Sequence, residues 1–299
     1  MSEESKFTTL IYKLEVLGLK ILEKIFIFLG IDIAEFLFSL LFVIFGPLTK
    51  PSFLAMRNLK LVFPKLNFFK RFLIVLGMWN NLARNLVEFV CFNKMDFKKF
   101  INYVSMDKET LTILKSFKNS ISGNLIFTAH FGNWEIYPQI FSGLKIPFSG
   151  VYREMNNKFA DEFVQKYRNK KFIDFIPKGK NGIFKLARNL REGKEILMLV
   201  DQKLNNGITV PFLGVPSKTT DSVATFALKH NYNVYSAVVF RKSFSSSFNL
   251  EIRKFEVINT GNLQKDIIDT TIKINETIGE WIKQKPEQWF WVHNRWKSK

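Results

Sequence analysis

His130 and Glu135 are the residues whose types and spacing most readily do chemistry. His130 follows the apolar run at 125–129 (LIFTA) and precedes Phe131, Gly132, Asn133, Trp134 and Glu135, a His-x4-Glu spacing. A histidine at a strand end can receive a carboxylate folded back from the first turn of the next helix. The carboxylate would take one imidazole N–H, fix the tautomer and stabilise the imidazolium, leaving the other nitrogen to accept a proton. That is the base and its orienter without the serine of a triad, so the nucleophile would be a hydroxyl of the substrate. Gly132 would let the backbone approach the site, and amide N–H groups around Gly132 and Asn133 would bind substrate or stabilise an oxyanion. Taken alone, the spacing more often marks a structural pair or a surface accident. A metal site is disfavoured, because the next histidine, His230, lies 100 positions away and Cys91 is the single cysteine.

A second polar position falls at a strand end: Asp201 follows the apolar run at 196–200 (ILMLV) and is succeeded by Gln202. Further short apolar runs lie at 148–152, 172–176, 234–240 and 250–257. Helical patterns lie between them at 132–143, 158–170, 181–192, 221–230 and 263–284, after a longer one at 70–93. Strands alternating with helices predict an α/β fold with a largely parallel central sheet flanked by helices. In such sheets ligands gather at the carboxyl ends of the strands, where His130 and Asp201 both sit. Asn181 is the expected cap of the helix that Gly193 closes. The last two strands, separated by SFSSSF, read as an antiparallel hairpin at the sheet edge. Gly214, Pro211 and Pro216 are expected to shape a loop beside the site. Cys91 and His230 need no role beyond packing.

The 299 residues are 47% hydrophobic and 23% charged, which excludes a disordered chain and leaves material for a sizeable core. The net charge is +18; residues 1–50 hold 5 basic and 6 acidic side chains, so residues 51–299 carry +19. Such a field draws polyanions: phosphorylated substrates, an anionic membrane surface or an acidic partner protein. No zinc-finger, arginine-rich or RNP-like pattern appears, so nucleic acid is not the expected partner.

Residues 25–46 (IFIFLGIDIAEFLFSLLFVIFG) approach the length of a bilayer span, but Asp32 and Glu35 interrupt them. The longest uncharged run, 36–49, is 14 residues. With no cleavage site after it, this stretch reads as a helix that spans or dips into a membrane rather than as a signal peptide. Lys50, Arg57, Lys60, Lys65, Lys70 and Arg71 follow, interleaved with phenylalanines, as a surface for anionic headgroups requires. The chain thus divides into a hydrophobic membrane-associating segment, 1–57, and a catalytic domain, 58–299.

Five stretches in order resemble one family: TAHFGNWE; GVYR, ending at Arg153, with Arg168 fifteen residues on; LVDQ; VPFLGVPSKTT; and PEQWFWVHNRWK. The sequence from about residue 58 to 297 is similar to the bacterial lipid A late acyltransferases, of the lysophospholipid acyltransferase-like superfamily. The resemblance implies that His130 is the base, with Glu135 its partner. It implies transfer of a fatty acyl group from acidic acyl carrier protein to a hydroxyl of a phosphorylated lipid A precursor, at the cytoplasmic face of the inner membrane. No cofactor or metal is implied. Arg153, Arg168, Asp201 and Gln202 fall at positions implied to bind substrate or stabilise the oxyanion. Glu154 departs from the pattern, where the family often has proline. Trp289, Trp291 and Trp296, with His293 and Arg295, suit packing against the core and a membrane interface. Related enzymes acylate other glycolipids, phosphoinositide mannosides among them, and a membrane-bound scaffold of the same fold is the non-enzymatic alternative.

Overall fold

A computed structural model describes residues 3–177, 179–242 and 246–296. The N-terminal helices are α1 (Glu3–Leu29), α2 (Ile31–Phe45), α3 (Lys50–Val62) and α4 (Phe68–Asn93). The α/β region begins with α5 (Phe97–Phe100), β1 (Val104–Met106) and α6 (Lys108–Lys118). It continues through β2 (Leu125–Thr128), α7 (Tyr137–Gly143), β3 (Phe148–Tyr152), α8 (Lys158–Arg168) and β4 (Ile173–Pro177). Next come α9 (Lys180–Arg191), β5 (Glu195–Leu199), β6 (Ile208–Phe212), β7 (Val215–Thr219) and α10 (Ser222–His230). The final elements are β8 (Val234–Arg241), β9 (Phe248–Phe255) and α11 (Leu263–Gln284).

Seven strands form the central sheet in the order β1-β9-β8-β2-β5-β3-β4. The five from β8 to β4 run parallel, whereas β9 is antiparallel to β8 and carries β1 parallel beside it. The mostly parallel sheet flanked by helices is the architecture that alternating patterns dictate. The expected closing hairpin is present, but β1 covers its outer edge; residues 243–245 of its SFSSSF connection lie outside the described residues. Every residue of β2 is buried. Leu125 and Phe127 enter one core with α4, α10 and α11, and Ile126 enters a second core with α6 and α7.

Local chemistry sets the helix ends. Asn67 caps α4 by accepting from Lys70 N at 2.8 Å, and Asn157 caps α8 by accepting from the amides of Phe159 and Ala160. Gly179, rather than Asn181, is the N-cap of α9, and Asn181 lies within the helix. Gly193, at φ 78°, follows the end of α9 as expected. The stretch around Pro211 and Pro216 is not a plain loop. Its two prolines face each other across the β6–β7 hairpin, turned by Leu213 and Gly214, both at positive φ.

Glu195 opens β5 fully buried and accepts from Asn124 N and Nδ2, both at 3.1 Å. Burial, opposed by these bonds, pushes its carboxyl up to about 8. The folded chain therefore holds a proton that the unfolded chain sheds above about 4.5. This contribution to stability is full below that value, declines as pH rises and is gone once pH passes about 8. Glu195→Gln is expected to flatten the decline, read as Tm of both proteins between pH 5 and pH 8.5 by calorimetry.

Candidate active site

β2 and β5 are adjacent and parallel, with Thr128 in register with Leu199 and Val200 N bonded to Thr128 O at 3.1 Å. His130 and Asp201 each lie two residues beyond those paired ends, so the sheet delivers them side by side. Asp201 Oδ1 sits 2.8 Å from His130 Nδ1, and Asp201 Oδ2 accepts the His130 backbone N–H at 3.0 Å. Trp289 Nε1 donates to the same Oδ2 at 2.8 Å. Burial would raise the Asp201 carboxyl, but the His130 and Trp289 contacts outweigh it and hold the carboxyl at about 2. An ionised Asp201 keeps the imidazole proton on Nδ1 and leaves Nε2 as the acceptor. The Gln202 amide nitrogen lies 3.3 Å from that Nε2.

Glu135, expected to take the imidazole N–H, does not reach it. It sits in a 3-10 turn (Trp134–Ile136) and faces α8, where Arg168 Nη2 and Nε donate to its two oxygens at 2.5 and 3.2 Å. Trp134 Nε1 donates to it as well. Sheet order, rather than closeness in sequence, selects the histidine's partner.

Gly132 and Asn133 are likewise committed elsewhere. The Gly132 N–H donates to Gln288 O at 2.9 Å, so it does not serve an oxyanion. Its carbonyl accepts from Asn81 Nδ2 at 3.0 Å and Asn85 Nδ2 at 2.7 Å. The fully buried Asn133 side chain accepts from Glu135 N and donates to Glu88 Oε2 at 2.7 Å. Asn81, Asn85 and Glu88 share one face of α4 at i, i+4 and i+7. Arg241, ending β8, ties that face together: it forms a buried double ion pair with Glu88 and donates to Asn81 Oδ1 and Asn85 Oδ1. These residues carried no signal alone; the clue was three polar positions, 81, 85 and 88, repeating on one face of α4.

The tail from 286 to 296 closes the site. Phe290 N donates to His130 O at 3.2 Å, and Phe131 bridges to Trp289. Arg295 is fully buried; it donates to Gln202 O at 2.7 Å, Lys218 O at 2.8 Å and Thr219 Oγ1 at 2.8 Å, and stacks over Phe212. Trp289 and Trp291 are core residues. Their contribution at the site is the Trp289 hydrogen bond to Asp201, which the composition did not disclose.

His130, Glu135, Arg153, Arg168, Gln202 and His293 line one cavity of about 400 Å³. Its inner wall is apolar, with Tyr137, Phe148, Val151, Phe175, Leu197 and Leu199. A cavity that combines an apolar wall with convergent polar groups, His130 among them, is the general form of a small-molecule site. Arg153 is exposed and also borders an open groove of about 520 Å³ against α1. The structure thus brings His130, Glu135, Arg153, Arg168 and Gln202 to one cavity and sets Asp201 against the His130 ring, whereas Gly132 and Asn133 are bonded to the helix and loop around the histidine.

A mostly parallel α/β sheet that sets a carboxylate-bonded histidine beside a cavity with polar and apolar walls has the general form of a small-molecule site. The chain belongs to the bacterial lipid A biosynthesis acyltransferase family, whose profile matches residues 1–298. It is similar to the lipid A biosynthesis palmitoleoyltransferase of Escherichia coli (strain K12), with 23% identity over 249 residues, covering 82% of this chain and 78% of the relative. The lipid A biosynthesis acyltransferase of Shigella flexneri matches with the same figures. A chain of the Euglena gracilis mitochondrial ATP synthase structure aligns at a TM-score of 0.19 and 10% identity, over 80% of this chain and 79% of that one. That value is too low to carry an argument. The protein is an acyltransferase of lipid A biosynthesis.

Gly132, at φ 56°, has no room for a side chain: an added Cβ would lie 1.8 Å from Val239 O. Gly132→Ala is expected to cost at least about 1–3 kcal/mol in denaturant unfolding and to depress activity, because the loop after His130 must shift. Arg241→Met leaves Glu88 buried without its cation and should cost about 3–5 kcal/mol by the same measurement.

Proposed function

We propose that the protein transfers a fatty acyl group from acyl carrier protein to a hydroxyl of a lipid A precursor, with His130 as general base. The observation that carries this reading is the His130–Asp201 pair, with the histidine lining a cavity that has an apolar wall. The acceptor hydroxyl binds at Nε2 in place of the Gln202 amide, and its oxygen attacks the thioester carbonyl as its proton passes to Nε2. Asp201 stabilises the resulting imidazolium. Arg153 and Arg168 line the cavity and supply cationic groups for the developing oxyanion or an acceptor phosphate. The tetrahedral intermediate collapses, the C–S bond breaks, and His130 returns the proton to the departing pantetheine thiolate. The apolar wall suits the acyl chain. Catalysis proceeds with these side chains and the thioester donor.

Charge supports the same partners. The +19 on residues 51–299 suits an acidic carrier protein and a phosphorylated glycolipid, so added salt weakens both encounters. Acceptor and donor then place the enzyme at the cytoplasmic face of the inner membrane, held by residues 1–57 while 58–299 catalyse.

The test is acyl transfer by the detergent-solubilised protein, offered C12-, C14- and C16-loaded acyl carrier protein and a tetra-acylated lipid A precursor, with products read by mass. Wild type should add one acyl chain, and His130→Ala should abolish the gain. Asp201→Asn should lower kcat by roughly 10²–10⁴-fold. Glu135→Gln acts through Arg168 and should change KM more than kcat. No gain with any donor, from folded protein that binds the precursor, would move the acceptor to another glycolipid.

A further inference from the structure

Residues Ile31–Leu48 are the described segment long and apolar enough to cross a bilayer, with mean hydropathy 2.0 and 22% of the segment buried. At 1.5 Å per residue it would reach about 27 Å, so length permits a span. The contacts on both sides of it do not.

Before the segment, α1 is fastened to the catalytic domain. Asn157 Nδ2 donates to Tyr12 O at 3.0 Å and Glu15 Oε2 at 2.7 Å, and Lys94 lies 3.6 Å from Glu23. Within it, Glu35 is 3% exposed, accepts from Ser246 Oγ at 2.6 Å and lies 3.5 Å from Arg84. Phe42 packs on Trp79 of α4 with ring centres 5.9 Å apart. After it, Asn58 Nδ2 donates to Trp291 O and His293 O, both at 2.9 Å. A helix crossing the bilayer would put Tyr12 and Glu15 on the far side, roughly 30 Å of hydrocarbon from Asn157. Those bonds and a span exclude each other.

The outward faces are apolar nonetheless. On α1, Leu14, Leu17, Ile21 and Phe28 form one exposed stripe at helical spacing, and Phe28 is 88% exposed. On α2, Ile33, Phe36, Leu40 and Ile44 do the same, opposite Glu35. Phe53, Phe68 and Phe69 extend this surface, and the exposed Lys50, Lys60, Lys65 and Lys70 border it. Two copies meeting there would oppose lysine to lysine, whereas anionic headgroups neutralise that rim, at about 1 kcal/mol per cation.

We propose that α1 and α2 lie in the plane of one anionic leaflet, as a monotopic anchor, with residues preceding α2 on the same side of the membrane as the catalytic domain. This goes beyond membrane location to its topology, and the test needs no catalytic activity, so its outcome is independent of the acyltransferase reading. Asn157 stands four residues past Arg153, so the anchor borders the mouth of the active-site cavity.

The test uses full-length Cys91→Ala protein with Lys13→Cys on α1 or Lys254→Cys on β9, both at exposed positions. A membrane-impermeant maleimide is applied to inside-out and right-side-out inner-membrane vesicles. Both cysteines should label in the same vesicle type and neither in the other. Labelling in opposite vesicle types means α2 spans, and overturns the proposal. Phe36→Glu with Leu40→Glu, in purified full-length protein, should lower partition onto phosphatidylglycerol-containing vesicles at least tenfold with Tm unchanged. Unchanged partition, or an apolar face buried in a dimer that does not bind vesicles, overturns it as well.

Discussion

The Asp201 carboxylate is the interaction on which the rest of the site depends. It is 2% exposed, and three N–H donors hold it: the backbone and ring of His130 and the indole of Trp289. A buried carboxylate without such partners would take up a proton rather than remain charged. Each donor therefore does two things at once. It stabilises the negative charge, and it fixes the position of the element that supplies it. The end of β2, the end of β5 and the tail after α11 converge there because one anion needs all of them.

Around this anion runs a second layer of polar bonds that reaches into the N-terminal helices. Arg241, Glu88, Asn81 and Asn85 are buried together, and the carbonyl of Gly132 receives amides from two of them. A buried ion pair is a poor source of net stability, but it tolerates little error in geometry, because losing either partner strands the other. Its use here is register: α4 and the loop after His130 are held in one relative position. The same α4 packs against α2 on another side, so the loop beside the histidine and the apolar N-terminal surface share a single rigid helix.

Much of this was legible in the sequence, where periodicity and turn residues act locally. The run LIFTA, short, apolar and holding β-branched residues, reads as a buried strand, and it placed His130 at a strand end correctly. ILMLV did the same for Asp201. What periodicity cannot give is which strands lie side by side. Without knowing that β5 inserts between β2 and β3, the carboxylate five positions from His130 was the better candidate than one 71 positions away. Glu135 and Arg168 were both singled out, but not as each other's partner, since that pairing depends on where α8 packs. Arg295 was expected to pack with the tryptophan-rich tail, and Arg241 carried no signal of its own. Their burial follows from the chain folding over them, which no residue type announces. The β6–β7 hairpin was missed because paired prolines suggest a loop until they are found opposite each other.

The indole that completes the Asp201 cage is encoded 88 residues after the aspartate itself. Synthesis therefore lays down the histidine and its carboxylate well before the residue whose indole completes the carboxylate's hydrogen bonds. A nascent chain whose sheet has emerged but whose tail is still in the ribosome has the reactive groups without their final arrangement. The backbone that restrains His130 and the donor that completes its partner arrive together, on the same short stretch of chain.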